Sequence, residues 1–561
     1  MRTIILTAIF FCFSFLQTSM AQSSTLITIG DLNQNAVDRM MIMNSDFGKI
    51  HSAVHAYNRK DIVEYLAYLK ENSLRISHDS LYIFHDNNDN DSLLKSKKSI
   101  LKFFYRTPAH FFETRTKHFY FNVNPLLDIQ AGVERYNGDF NFTFFNRRGV
   151  QIRGNIADKV YFYTDIIETQ ASFPTYITNR IIAETAVPGA GFYKPYDSRF
   201  TSAKQDGFDY LMSQGYVGFQ INKFIGVQFG HGRHFIGDGH RSLLLSDFSN
   251  NYFYLKLNTK IWKLNYQNIF AELTQDHPNT ANQIYPKKYM AAHHLSINIL
   301  KNLNVGLFET VIFSRSNGIE FQYLNPLILY RTIEQMVGSP DNVILGFNFR
   351  YDFLKRFSLY GQVVIDEFVL NRVFAKPGSA ESGWWANKQG YQIGLKYVQV
   401  FGIKGLDFQT EFNTVRPYTY AFRDSTANYT HYNQPLAHPL GANFIEAIGI
   451  VKYQPLPQLF FRAQVNFAQY GSDTLDSNWG KNIHLSYRTI EKEFGNQTTQ
   501  GVKTQLLIFQ FMASYMIKHN LSLDLLAMYR DEKFGITSMS NQSLYISAGL
   551  RWNLSYRMND W

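Results

Sequence analysis

From Val343 to Phe353 apolar and polar side chains alternate residue by residue, and the same dyad runs through Tyr391 to Tyr397, Leu406 to Thr414, Leu459 to Phe467 and Leu507 to Ile517. It is clearest near the end of the chain, where Leu544, Ile546, Ala548, Leu550, Trp552, Leu554 and Tyr556 interleave with Tyr545, Ser547, Gly549, Arg551, Asn553 and Ser555. A period of two predicts strands with one apolar face, because successive side chains of a strand point to opposite sides of the sheet. Charge tests the assignment. Arg350, Asp352, Lys396, Asp407, Glu411, Arg462 and Arg551 fall within these segments, and each occupies the polar parity. The segments outrun the strands of a soluble sandwich, typically about 5 to 6 residues. They suit a tilted strand that crosses a bilayer in about 9 to 11.

Short polar turns join these segments in pairs, near Ala157-Asp158-Lys159, Asn222-Lys223, Thr259-Lys260, Lys301-Asn302, Lys355-Arg356, Gly402-Ile403-Lys404, Gln454 to Pro457 and Lys518-His519-Asn520. Eight hairpins supply sixteen strands, Phe119 to Val133 adds one in front, and the Leu544 to Tyr556 segment closes the set. The prediction is an all-β transmembrane protein, an eighteen-stranded antiparallel outer-membrane β-barrel with short periplasmic turns and long extracellular loops. An even count puts both ends of the barrel on the periplasmic side. Trp561, the aromatic last residue, is expected to serve as the signal that barrel-assembly machinery reads.

Composition supports a barrel. The 561 residues include 49 Phe and 36 Tyr but only 15 Pro, and no segment beyond the first 21 approaches the roughly 18 uncharged apolar residues of a membrane helix. At the start, Arg2, the apolar stretch Ile4 to Leu16 and the small-x-small site Ser19-Met20-Ala21 read as a signal peptide over residues 1–21, cleaved before Gln22. Cys12, the one cysteine, lies inside it, so disulfides and Cys-ligated metals are not expected beyond residue 21.

Residues 22–116 follow a different rhythm and precede a barrel over 117–561. Asp61 to Lys70 sets Ile62, Tyr65, Leu66 and Leu69 at helical spacing, and Asp31 to Met43 is also compatible with helix. This small N-terminal segment is expected to be periplasmic, partly helical, and to plug the barrel. Its run Asp86 to Asp91 fails the calcium-loop pattern, since Asp91 stands at the glycine position and Lys97 at that of the bidentate glutamate; a solvated loop is expected there.

Outward-facing function should lie on the long loops, Ala171 to Ser213, Gly232 to Asn251, Ser314 to Asp341, Asn371 to Lys388, Val415 to Asn443 and Gln469 to Gly501. They are rich in Tyr, Asn, Arg and Pro, which suits stacking on sugar rings and hydrogen bonding to hydroxyls. Arg233, His240, Arg241, Arg331 and Arg416 sit in or beside these loops and are the candidate glycan contacts, able to grip carboxylates or phosphates. An excess of 55 Lys and Arg over 45 Asp and Glu suits anionic sugars or lipopolysaccharide. No nucleic-acid partner and no cofactor is expected. Asp366 and Glu367 point to opposite faces unless a bulge intervenes, so they are not read as a catalytic pair. A metal site at His231, His234, Asp238 and His240 is disfavoured because the first two differ in parity, and no local signature marks a Ser-His dyad. The expectation is a non-enzymatic protein, with a channel for small polar solutes as the alternative, since an eighteen-stranded barrel is wide enough for water.

Several stretches are distinctive: Phe229 to Ser246 (FGHGRHFIGDGHRSLLLS), Lys288 to Leu295, Tyr323 to Pro326, Asp341-Asn342, Tyr360 to Phe368, Arg416 to Tyr420 and His438 to Gly441. They resemble the Wzi capsule-assembly family and its gliding-associated relatives of the Bacteroidota, the RemB group. Lys102 to Ala109 and Ala56 to Ile62 resemble the gliding-associated relatives more closely. The resemblance implies an eighteen-stranded barrel with a helical periplasmic bundle that acts as a lectin for surface polysaccharide. It also admits a role in gliding motility or adhesion with motility or secretion partners. Where the family's glycine-rich motif usually carries a tryptophan pair, this chain has His234-Phe235-Ile236, which leaves the glycan open.

Overall fold

The computed structural model describes residues 24–561 apart from 78–79, 88–102, 117, 158, 199–205, 316–317, 328, 339, 368, 374–375, 377, 536–539 and 557–558. The predicted signal peptide lies outside the described residues. Eighteen antiparallel strands close into a barrel. They are β1 (Phe119–Tyr136), β2 (Asp139–Ile156), β3 (Val160–Ser172), β4 (Gly207–Gln220), β5 (Ile225–Gly232), β6 (Tyr252–Ile261), β7 (Leu264–Thr274), β8 (Lys287–Leu300) and β9 (Leu303–Phe313). The second half comprises β10 (Asn342–Phe353), β11 (Phe357–Glu367), β12 (Lys388–Val398), β13 (Leu406–Val415), β14 (Phe444–Leu456), β15 (Leu459–Ser472), β16 (Val502–Lys518), β17 (Leu521–Phe534) and β18 (Ser540–Trp552). Each strand pairs with its neighbours in the chain, and β18 closes on β1 from Leu127↔Trp552 to Tyr136↔Ser543. Full closure satisfies every strand edge inside a bilayer. Below Leu127 the place beside β1 is taken by Phe112–Arg115, which pairs with Tyr120 to Val123.

The eight short turns fall where the sequence puts them, two of them shifted by a few residues: β6 turns into β7 after Ile261, and β14 into β15 after Leu456. The last strand ends earlier than predicted. Asn553 adopts a left-handed φ of 53° and donates through Nδ2 to the Pro125 carbonyl at 2.8 Å, which turns the chain off the wall. Trp561 is therefore not the end of a strand; it is buried inside the barrel against Tyr176 and Phe248.

Alternation sorts the wall into two faces. Phe229, Leu307, Ile393, Phe509 and Ile546 stand exposed on the outside, as lipid contact requires, and Phe353, Phe357 and Tyr397 stack into part of an aromatic girdle near the short turns. The opposite parity carries charges into the lumen, where several form ion pairs. Arg350 is fully buried and bonds Asp352 through Nε and Nη2, both at 2.8 Å.

The lumen is filled from the short-turn end by helices α1 (Leu32–Asn44), α2 (Arg59–Glu71) and α3 (Ser80–Asn87). The first two match the predicted helices, with Asp31 and Asn58 as N-caps. Met40, Met41, Ile42 and Met43 of α1 are all buried, because that end of the helix is enclosed by the barrel mouth and the neighbouring helices, whereas Leu32 and Asn35 at its start stay exposed. The segment bonds the turns around it: Phe47 N–H donates to the Lys301 carbonyl at 2.8 Å, and Arg39 Nε donates to Asp407 at 2.7 Å. Asp86, expected in a solvated loop, is instead the penultimate residue of α3 and accepts from His519 Nε2 at 2.5 Å; residues 88–91 of that run lie outside the described residues.

Asp38 of α1 accepts from Arg350 and, at 2.8 Å, from Lys396 Nζ. Burial pushes its carboxyl up, but Arg350 and Lys396 outweigh it and hold the group well below the usual carboxylate range. A carboxylate whose folded value is depressed stabilises the folded state above the unfolded value, and that stability is lost as pH falls. Docking of α1 is thus expected to weaken below about pH 4, the unfolded carboxylate range. Limited proteolysis across residues 32–44 as a function of pH checks this, and Asp38→Asn should lose much of the dependence.

Candidate functional site: an outer pocket above a closed lumen

Residues 233–251, between β5 and β6, do not project outward. They fold into the barrel as a strap, and Leu243, Leu244 and Leu245 are fully buried. Wall carboxylates hold the backbone: Glu411 accepts from His240 N–H at 2.6 Å and Arg241 N–H at 3.0 Å, while Tyr360 donates to the same carboxylate at 2.8 Å. Gly239 permits this approach, since a Cβ there would stand 2.6 Å from Glu411 Oε2. Gly237 has a φ of +139° beside Gln362, a conformation open to glycine at no steric cost. The 416–443 loop lies on the strap, with Tyr420 and Tyr429 hydroxyls donating to the Leu243 and Leu244 carbonyls at 2.7 Å.

A second insertion meets the strap. After β18 the chain runs up inside the barrel to Asp560, whose carboxylate accepts from His240 Nε2 at 2.6 Å, Arg241 Nη1 at 2.9 Å and Gln464 Nε2 at 2.5 Å. Burial raises that carboxyl, yet Arg241 and His240 together hold it far below its ordinary value. Arg241 also pairs with Glu446 at 3.3 Å, and His438 Nε2 bonds the other oxygen of Glu446 at 2.7 Å.

Among the sequence candidates, Arg233, His240 and Arg241 therefore sit together on the strap. They border an inner chamber of about 550 Å³ between strap and N-terminal segment. Arg233 donates to the Asp247 carbonyl at 3.0 Å, and Arg241 is committed to internal ion pairs. Arg416 is elsewhere, joining two loops through the Asn387 and Trp384 carbonyls at 2.7 and 3.4 Å. Arg331 is on a third element, more than half exposed and paired with Glu334 at 2.8 Å. His231, His234, Asp238 and His240 go to separate partners: Ser213, Tyr252, Arg350 and Asp560. Among the described residues no group of three His, Cys, Asp or Glu side chains is placed to hold a metal ion. Asp366 and Glu367 do lie at a bulge, where both approach Lys388, at 3.1 and 3.6 Å.

Above the strap lies a pocket of about 630 Å³ that no sequence candidate borders. Helix α4 (Thr175–Glu184) gives Arg180, which bonds Glu184 at 2.8 Å and stacks over Trp561 at 4.4 Å. The 473–501 loop gives Lys481, over the Tyr470 ring at 4.9 Å with Nζ donating to the Leu440 carbonyl. Burial brings the Lys481 amine down to about 8. The same loop gives His484, which bonds Asp276 at 2.8 Å. Burial would raise Asp276, but His484 overcomes it and lowers the carboxyl. Trp561 and Pro439 border both this pocket and the inner chamber, so together they form the partition between them. Sequence reasoning missed the pocket because its walls come from four loops, the ends of several strands and the segment after β18, which no local spacing links.

No family model matches the sequence, and no curated protein matches it. Among solved structures, Wzi of Escherichia coli, an outer-membrane carbohydrate-binding β-barrel involved in group 1 capsule assembly, aligns over 96% of this chain and 100% of its own, with a TM-score of 0.54 and 12% identity. The chain has the Wzi barrel fold. OprD of Pseudomonas aeruginosa (TM-score 0.39, 11% identity, 77% of this chain and 94% of its own) and OccAB2 of Acinetobacter baumannii (0.42, 10%, 77% and 98%) also align. The protein is an outer-membrane β-barrel, with the expected strand count and an N-terminal helical segment.

Proposed function

We propose that this barrel is a non-enzymatic anchor for surface polysaccharide, held in the outer pocket. The closure of the lumen carries the proposal. The N-terminal helices enter from one end, and the strap and the segment after β18 meet above them on Arg241, a construction suited to holding a ligand outside rather than passing it through. Above the closure, the rings of Tyr136, Tyr470 and Trp561 beside Arg180, Lys481 and Glu532 supply stacking faces and charged hydrogen-bonding groups for sugar rings and their acidic substituents. The Wzi likeness supports the same reading. Its gliding-associated branch is the finer assignment, suggested by Ala56 to Ile62, a stretch that here enters α2 at the barrel mouth. Lipopolysaccharide is the expected lipid neighbour.

A deletion strain is expected to lose cell-associated polysaccharide into the medium, and the purified barrel to retain that polysaccharide on a column. Normal retention with impaired surface spreading would move the assignment to motility. Failure of both would reject it.

A further inference from the structure

Alternation and burial disagree over a patch of the outer wall on β7 to β10. On β8 the even residues face the lumen, where Ser296 bonds His51 and Asn298 bonds the Ile50 carbonyl, so Ala291 and His293 face outward. The same logic sends Glu309, Val311 and Phe313 of β9, Val343 of β10 and Asn268 of β7 to the outside. All seven are nonetheless at most 7% exposed, whereas Leu307 and Leu345 on the same face are open. What covers them is the 314–341 segment, which folds down over the outside of the wall. Tyr323, Tyr330 and Ile333 pack on Ala291, Val311, Phe313 and Val343 as a core separate from that of the lumen, and Tyr330 stacks on His293 at 3.9 Å.

The flap is fastened at its base, middle and tip. Arg315 and Asp341, at its two ends, form a bidentate pair at 2.7 and 2.6 Å, with Tyr323 donating to the same carboxylate at 2.7 Å. Arg331 N–H donates to Glu309 at 3.0 Å at the start of helix α5 (Tyr330–Met336). Tyr266, two residues into β7, donates to the Pro326 carbonyl at 2.6 Å, so the tip reaches nearly to the short-turn end of that strand. Its other face carries large apolar side chains, with Gln322, Arg331, Thr332 and Gln335 exposed among them. Phe321, Leu327, Leu329 and Met336 are 64 to 83% exposed, on a segment that the loop rule would make polar.

We propose that this flap is an intramembrane element whose outer face contacts the acyl chains of the bilayer, continuing the lipid-facing surface of the barrel around it. It lets the wall carry Asn268, His293 and Glu309 where bare strands would present them to hydrocarbon, since unsatisfied polar groups are not tolerated there. Continuity with the lipid-facing wall decides the occupant, because the exposed residues of the flap adjoin a surface that is itself lipid contact.

The test places a single environment-sensitive label at Phe321→Cys or Leu327→Cys in a Cys12→Ser background, with the full chain folded into phosphatidylcholine vesicles. Phe229→Cys on the lipid-facing wall and Leu475→Cys, fully exposed on the 473–501 loop, are the references. The flap labels are expected to match Phe229→Cys, with blue-shifted emission, quenching by doxyl groups on the acyl chains, and protection from aqueous iodide. Iodide quenching equal to that at Leu475→Cys overturns the proposal. Protection from both quenchers also overturns it, since a protein would then cover the face. Exposed single-residue substitutions leave the packed side of the flap intact, so barrel folding is not at stake.

Discussion

Single-channel recordings of Arg241→Ala in planar bilayers are expected to show steady conductance steps that the unmodified protein lacks. Arg241 is the crossing point of the closure: its guanidinium is 6% exposed and pairs with Asp560 at 2.9 Å and Glu446 at 3.3 Å. Removing one partner of a buried ion pair costs about 3 to 5 kcal/mol because the remaining charge is left uncompensated. Here two carboxylates would be left, one on the wall and one on the inserted segment, repelling each other where Arg241 had joined them. The barrel wall does not depend on either, since its ladder is closed strand by strand. The loss should therefore fall on the strap and on residues 559–561, and swinging Trp561 aside would open the partition between the outer pocket and the inner chamber. Large steps in the unmodified protein would instead favour the channel alternative and defeat the anchoring proposal. A closed variant, still folded by its heat-modifiable migration on gels, would show that Arg241 does not hold the closure.

The wall was legible in the sequence because lipid and lumen impose opposite demands on alternate residues. Arg350 and Leu345 could not exchange parity without placing a charge in hydrocarbon. Turn chemistry added the count, as at Lys301-Asn302, where a tight connection leaves little freedom. The direction of the long segments was not legible. Residues 233–251 and 314–341 are similar to the eye, each long and set between strands, yet one folds into the barrel and the other down its outside. What separates them is tertiary: Glu411 and Glu446 wait inside for the first, and the outer faces of β8 to β10 wait for the second. The stretches that carry the family resemblance, Phe229 to Ser246, Tyr360 to Phe368 and His438 to Gly441, converge on the closure through Glu411 and Glu446. At the same places Arg233, His240 and Arg241, read in the sequence as glycan contacts, make internal bonds of the strap. Trp561 likewise looked like a strand end because it is an aromatic last residue after an alternating segment, and only the left-handed turn at Asn553 shows otherwise.

Lys481 should make binding of an anionic polysaccharide depend on pH in a window where carboxylates do not titrate. Its amine is brought down to about 8 by burial beneath the loops, against about 10.4 for a free lysine. Raising pH through that value removes the proton, and a bound anion favours the protonated form. Affinity is thus expected to be level below pH 7 and to fall by up to about tenfold per pH unit above 8, while a neutral glycan shows no such slope. Asp276 cannot mimic the effect, because it is held below its ordinary value and stays charged throughout. Lys481→Met should flatten the profile and cost about tenfold or more at neutral pH, the usual worth of a hydrogen bond to a charged group being about 1.5 to 3 kcal/mol. Trp561→Ala separates stacking from charge. It removes an aromatic face worth about 0.5 to 1.5 kcal/mol and leaves Lys481 in place, so binding should weaken for anionic and neutral glycans alike with the pH slope retained. Calorimetry of the purified barrel with matched anionic and neutral oligosaccharides reads both effects, and a slope that survives Lys481→Met would remove the lysine from the site.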